Sequence, residues 1–130
     1  MSFVMRRPQR HSDHLCPYFR EAMNLLAKPW NGEIIATLSQ RDGQGGGQRG
    51  QSAGLRFSEF GDLIGIGDRM LSVRLRELEA RGLVDRVVDG GPPVRVSYRL
   101  TEVGRGFGGV QAMLSEWGTK LVRQASRRHA

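Results

Sequence analysis

Between Arg56 and Thr101 the sequence sets out a short amphipathic helix, a glycine-bounded turn, a longer helix with arginines on its outer side, and two short strands. That order predicts a mainly α fold with a small β-hairpin wing, a winged helix-turn-helix. A long apolar seam behind it predicts a C-terminal dimerisation helix. With 130 residues, 38% of them hydrophobic and 25% charged, the chain has the length and composition of a single globular domain. Lys and Arg number 20 against 13 acidic residues, so the net charge of +7 suits a polyanionic partner.

Residues 1–14 are polar and basic without periodicity, and are read as a flexible arm preceding a domain at 15–125. From Cys16 the pattern becomes helical, with Phe19, Met23 and Leu26 on one stripe, Pro17 suited to the first helical position, and Pro29 as the stop. Trp30, Ile34 and Leu38 mark the buried side of a second helix over 30–39. Residues 40–54 carry six glycines and four glutamines with almost nothing apolar, which predicts a mobile loop. The loop is no phosphate-cradling Walker loop, because that pattern needs a lysine.

Ser58 is read as the N-cap of the next helix, which buries Phe60, Leu63 and Ile64. Gly65 and Gly67 make the turn, and Asp68 is placed to cap the helix 68–80, which Gly82 ends. Strands follow at 83–88 and 94–100; in the second, Val94, Val96, Tyr98 and Leu100 alternate with Arg95, Ser97 and Arg99 to give a buried and a basic face. The last helix is predicted over 101–125, with a basic tail at 126–130. Its Val103, Phe107, Val110, Leu114, Trp117 and Leu121, spaced 4-3-4-3-4, form the seam assigned to dimerisation.

On a helical wheel Leu71, Leu75 and Leu78 face the core, while Arg69, Ser72, Val73 and Arg76 lie opposite. Arginine can take guanine O6 and N7 in a major groove, and Ser or Val can meet other base edges, so helix 68–80 is the expected recognition helix. Arg95 near the hairpin tip is a candidate for a phosphate or minor-groove contact, and Arg56 and Ser58 for anchoring backbone phosphate at a helix start.

These residues resemble the HxlR-type winged helix-turn-helix transcription regulators of bacteria and archaea over roughly Cys16 to Leu121. The likeness rests on Cys16-Pro17, Lys28 and Trp30, Arg56-Phe57 with Glu59, Met70-Leu71-Ser72, and Arg74-Leu75-Arg76-Glu77-Leu78. Gly82-Leu83-Val84, Arg86, Pro92-Pro93-Val94, Tyr98, Leu100-Thr101 and Gly104 complete it. The resemblance implies a homodimer paired through its terminal helices, a palindromic operator, and Cys16 as a candidate redox-sensing thiol. Three places depart from the family pattern: Pro29 between Lys28 and Trp30, the long loop at 40–54, and Gly67 where a serine is usual.

The expected function is therefore a sequence-specific DNA-binding transcription regulator with two partners, double-stranded DNA and a second copy of itself. The alternative is a winged-helix assembly module that reads no sequence; RNA association would call for exposed stacking aromatics. An enzyme is not expected, since no nucleophile elbow or clustered acidic pair stands inside a folded region. No cofactor or metal is called for, and the sequence names no effector: His11, Asp13, His14 and Cys16 have metal-binding side chains, but the segment is arm-like and has no distant ligand pair. One cysteine excludes an internal disulfide, no apolar run spans a membrane, and the N-terminus lacks a signal core, so the cytoplasm is the expected location.

Overall fold

The structure, a computed structural model, describes residues 16–44 and 54–129. The predicted arm and most of the predicted loop therefore lie outside the described residues. Six helices and two strands follow in the order α1 Pro17–Ala27, α2 Asn31–Gln44, α3 Phe57–Ile64, α4 Asp68–Ala80, β1 Val84–Asp89, β2 Arg95–Leu100, α5 Glu102–Arg105 and α6 Phe107–His129. The fold is mainly helical with an antiparallel hairpin, a winged helix-turn-helix.

One core holds α2, α3, α4 and the hairpin together. Ile34, Ile35 and Leu38 from α2, Phe60 from α3, and Leu71, Leu75 and Leu78 from α4 are at most 2% exposed, as are Leu55, Val84 and Leu100. Burial of each such side chain contributes about 2 kcal/mol, and that face of α4 is what fixes the direction of its opposite face. Trp30 is half-buried against this cluster rather than fully inside it.

Several boundaries differ from the expectations, each for a local reason. Ser58 is not the cap of α3: Arg56 is, and Glu59 reaches back so that its Oε1 accepts the Arg56 N–H at 2.9 Å. Gly67, not Asp68, occupies the N-cap of α4, with no side-chain cap bond; Asp68 becomes the first helical residue, where its charge favours the helix dipole. Helix α2 continues five residues beyond the predicted end, into the glycine-rich stretch. Leu55 pairs with Tyr98 through two backbone bonds, 2.8 and 2.7 Å, adding a bridge to the hairpin that the sequence pattern did not reveal. Gly54 beside it sits at φ 64°, and a Cβ there would lie 2.6 Å from the Tyr98 carbonyl oxygen.

The end of α4 is a closed motif. Leu83 N–H donates to the Leu78 carbonyl and Gly82 N–H to that of Glu79, both at 3.0 Å, with Gly82 at φ 77°. Thr101 Oγ1 donates to the Gly82 carbonyl at 2.6 Å and accepts the Gly104 N–H at 3.1 Å, so the strand exit is tied to the helix end.

The single helix predicted over 101–125 is two. Thr101 caps α5, the helix is interrupted at Gly106, and α6 runs on to His129 through most of the predicted basic tail. The predicted seam divides accordingly. Val103 stands on α5, 71% exposed, and Phe107 packs against the core instead of lying on an outer face. Val110, Leu114, Trp117 and Leu121 remain together on α6, between 42% and 59% exposed. Helix α1 likewise buries no residue, and its Phe19 and Met23 are 56% and 47% exposed.

Candidate nucleic-acid interface

The outer face of α4 carries Arg69, Val73 and Arg76 in the open, Val73 at 43% exposure, with Ser72 half-buried at the edge. Met70, 38% exposed, adjoins this face and had no place in the wheel argument. Among the described residues, no hydrogen bond or ion pair engages the side chains of Arg69, Arg76, Arg56 or Arg95.

Arg74 is occupied quite differently. Only 13% of its side chain is exposed; Nε donates to the Pro29 carbonyl at 2.8 Å and Nη1 to Glu77 Oε2 at 3.1 Å. Lys28 Nζ reaches the same carboxylate oxygen at 3.4 Å, and Arg81 Nη2 meets Glu21 of α1 at 2.6 Å. Desolvation pushes the Glu77 carboxyl up, but the hydrogen bonds and charges of Arg74 and Lys28 together outweigh it and hold the group below the usual carboxylate range. These three ties brace α4 against α1 and the junction after it. The junction is shaped by Trp30, the only described non-glycine residue at positive φ, 76°. Asn31, 2% exposed, donates Nδ2 to the Leu25 carbonyl at 3.0 Å and so closes the end of α1.

The hairpin is less one-sidedly basic than its alternation suggests. The register sets Asp89 opposite Arg95 and Asp85 opposite Arg99, so carboxylates share the face assigned to arginine. Val94 is 65% exposed, while Ser97 and Arg99 are half-buried. Arg95 still projects near the tip, and it meets Arg56 and Ser58 at one place. A cleft of 490 Å³ opens between the start of α3 and β2, lined by Arg56, Ser58, Glu59, Asp89 and Arg95, with Arg41 from α2 as well. Arg41 was not among the expected site residues, because nothing in a local pattern brings residue 41 to residues 56 and 95. It lies 3.7 Å from Glu59 Oε2 with 45% of its side chain exposed.

Cys16 is exposed at the N-cap position of α1. His11, Asp13 and His14 lie outside the described residues, and the described ones contain no group of three metal-binding side chains. No described helix is long and apolar enough to cross a membrane.

Comparison with known proteins agrees with this architecture. The chain is 34% identical over 113 residues to the uncharacterized HTH-type transcriptional regulator YvaP of Bacillus subtilis, covering 86% of this chain and 94% of that one. It is 38% identical over 108 residues to the HTH-type transcriptional regulator YodB of the same organism, covering 82% and 86%. The reduced form of YodB superposes with a TM-score of 0.64 at 36% identity, over 79% of this chain and 90% of that one; its quinone-bound form gives 0.61 at 33%, over 82% and 99%. The family model described as HxlR-like helix-turn-helix matches residues 47–126. With that match spanning α3, α4, the wing and most of α6, the chain belongs to the HxlR-like helix-turn-helix family of transcription regulators.

Proposed function

We propose that this regulator binds DNA sequence-specifically as a homodimer on a palindromic operator, with α4 in the major groove. The observation that carries the reading is the division of labour on α4: Arg74 is held by Pro29 and Glu77, whereas Arg69 and Arg76 flank Val73 with their guanidiniums unengaged by any described residue. Guanidiniums aimed outward from a rigid helix suit guanine O6 and N7, Ser72 can reach an adjoining edge, and Val73 suits a thymine methyl. Arg56, Ser58 and Arg95 supply backbone contacts that fix the register. The exposed apolar residues of α1 and of α6 from Val110 to Leu121 support pairing of two copies, since a seam containing a tryptophan is costly to leave in water. Two recognition helices would then lie about one DNA turn, ~34 Å, apart or a multiple of it.

Cys16 is the sensing thiol of this reading; its exposure at a helix start, together with the quinone-bound structure of YodB, supports it. Addition of the thiol across a quinone ring would raise the intact mass by that of the quinone.

The test is selection of bound sequences from random duplex DNA at physiological salt, repeated with Arg76→Ala. A palindromic motif lost in the variant supports the reading. Binding without a motif, unchanged in the variant, refutes it and favours the assembly-module alternative.

A further inference from the structure

We infer that the cleft between α3 and β2 seats one phosphodiester of the DNA backbone, and that Arg41 of α2 is its third cationic contact. The inference rests on the DNA-binding reading above but concerns a residue outside the helix-turn-helix and the wing. Three guanidiniums from three separate elements, Arg41, Arg56 and Arg95, line one cleft, and the N-terminus of α3 opens into it. A tetrahedral oxyanion accepts donors from several directions at once, and a helix start adds positive potential and N–H groups.

The charge of the cleft selects the kind of oxyanion. Glu59 and Asp89 also line it, leaving one positive charge in excess. That matches a singly charged phosphodiester better than a doubly charged phosphate monoester. Glu59 is already committed, with Oε1 on the Arg56 N–H at 2.9 Å and Oε2 at 3.7 Å from Arg41. The longer of these contacts is a loose, half-exposed pair of the kind that contributes little, so Arg41 can turn from Glu59 to an incoming phosphate at small cost. At 490 Å³ the cleft has room for a phosphate with its flanking sugars. Arg41 stands where α2 runs on beyond its predicted end, at the start of the glycine-rich stretch 40–54.

The experiment measures affinity for the selected operator duplex across a salt series, for the wild type, Arg41→Gln, Arg41→Lys, and Arg123→Gln as a charge-matched control on α6. Each phosphate contact accounts for about 0.9 in the slope of log K against log salt, so Arg41→Gln should reduce the slope by about 1.8 for a dimer. The preferred sequence should not change, and Arg41→Lys should keep the wild-type slope. A slope equal to that of the wild type or of Arg123→Gln overturns the inference. A changed base preference overturns it too, by making Arg41 a base reader. Thermal stabilisation by inorganic phosphate that Arg41→Gln abolishes, with the DNA slope intact, would assign the cleft to a free anion and also overturn it. If the wild type selects no motif, the operator reading falls while the slope difference on random duplex still decides the role of Arg41.

Discussion

Replacing Arg74 and Arg76 separately by alanine should divide stability from DNA binding, although the two stand only two residues apart on α4. Arg74 makes two charge-assisted hydrogen bonds, 2.8 Å to the Pro29 carbonyl and 3.1 Å to Glu77, with its side chain 13% exposed. Hydrogen bonds to charged groups contribute about 1.5–3 kcal/mol, and the lower part of that range applies because Pro29 and Glu77 can both regain water. Loss of the covered aliphatic stem adds to this, so Arg74→Ala should cost about 2 kcal/mol. For a domain of this size that lowers the melting temperature by about 8 °C. Arg76 is exposed and engaged by none of the described residues, so Arg76→Ala should stay within about 0.5 kcal/mol of the wild type in stability. Its DNA affinity should instead fall by about 1–3 kcal/mol per half-site. Thermal denaturation by circular dichroism and fluorescence anisotropy on the selected duplex, at one salt concentration, measure the two quantities. The reasoning is refuted if Arg74→Ala melts with the wild type, or if Arg76→Ala binds DNA unchanged.

Gly104 and Gly109 make a second contrast: a Cβ at Gly104 collides with the Leu83 carbonyl and Leu100, whereas one at Gly109 meets nothing within 4 Å. In urea denaturation Gly104→Ala should lose about 1–3 kcal/mol and Gly109→Ala gain about 1 kcal/mol from helix propensity. Leu114→Asp, on the exposed face of α6, should sediment as a monomer with an unchanged circular dichroism spectrum; a persistent dimer would place the contact elsewhere. Because the folded Glu77 carboxyl titrates below the usual range, its stabilisation is present above that range and lost as pH falls through the depressed value. Glu77→Gln should therefore lower the melting temperature at about pH 7 and match the wild type near about pH 3.

The legible parts of this fold are those where burial is one-sided and periodic. Leu71, Leu75 and Leu78 announce the inner face of α4, and the arginines opposite follow from them. Capping is less legible, because Ser58 and Asp68 are both good caps by type, and only the reach of Glu59 back to Arg56 shows which residue fills the role. The division at Gly106 escapes a count of apolar spacing, since it shows only in the backbone, where the Gly106 N–H is shared between the carbonyls of Glu102 at 3.3 Å and Val103 at 3.1 Å. Phe19 and Met23 share a stripe whether or not anything covers it, so periodicity alone cannot separate core from interface. Nor could any local pattern expose the cleft: it exists only because the chain returns Arg95 beside Arg56 and Arg41.

The three ties from α4 to α1 and its junction have a thermodynamic corollary. Helix α1 has no fully buried residue; beside the packing of Leu25 against the core, Glu21–Arg81, Lys28–Glu77 and the Arg74 bond to Pro29 tie it and its junction to α4. Whatever covers the apolar side of α1 therefore restrains α4 as well, and the free energy gained at one helix is shared with the other. Linkage makes this reciprocal: on the proposed reading, DNA bound at α4 would tighten a cover on α1 by the same factor by which that cover tightens DNA. Breaking the ties would leave both binding events possible and remove their cooperation.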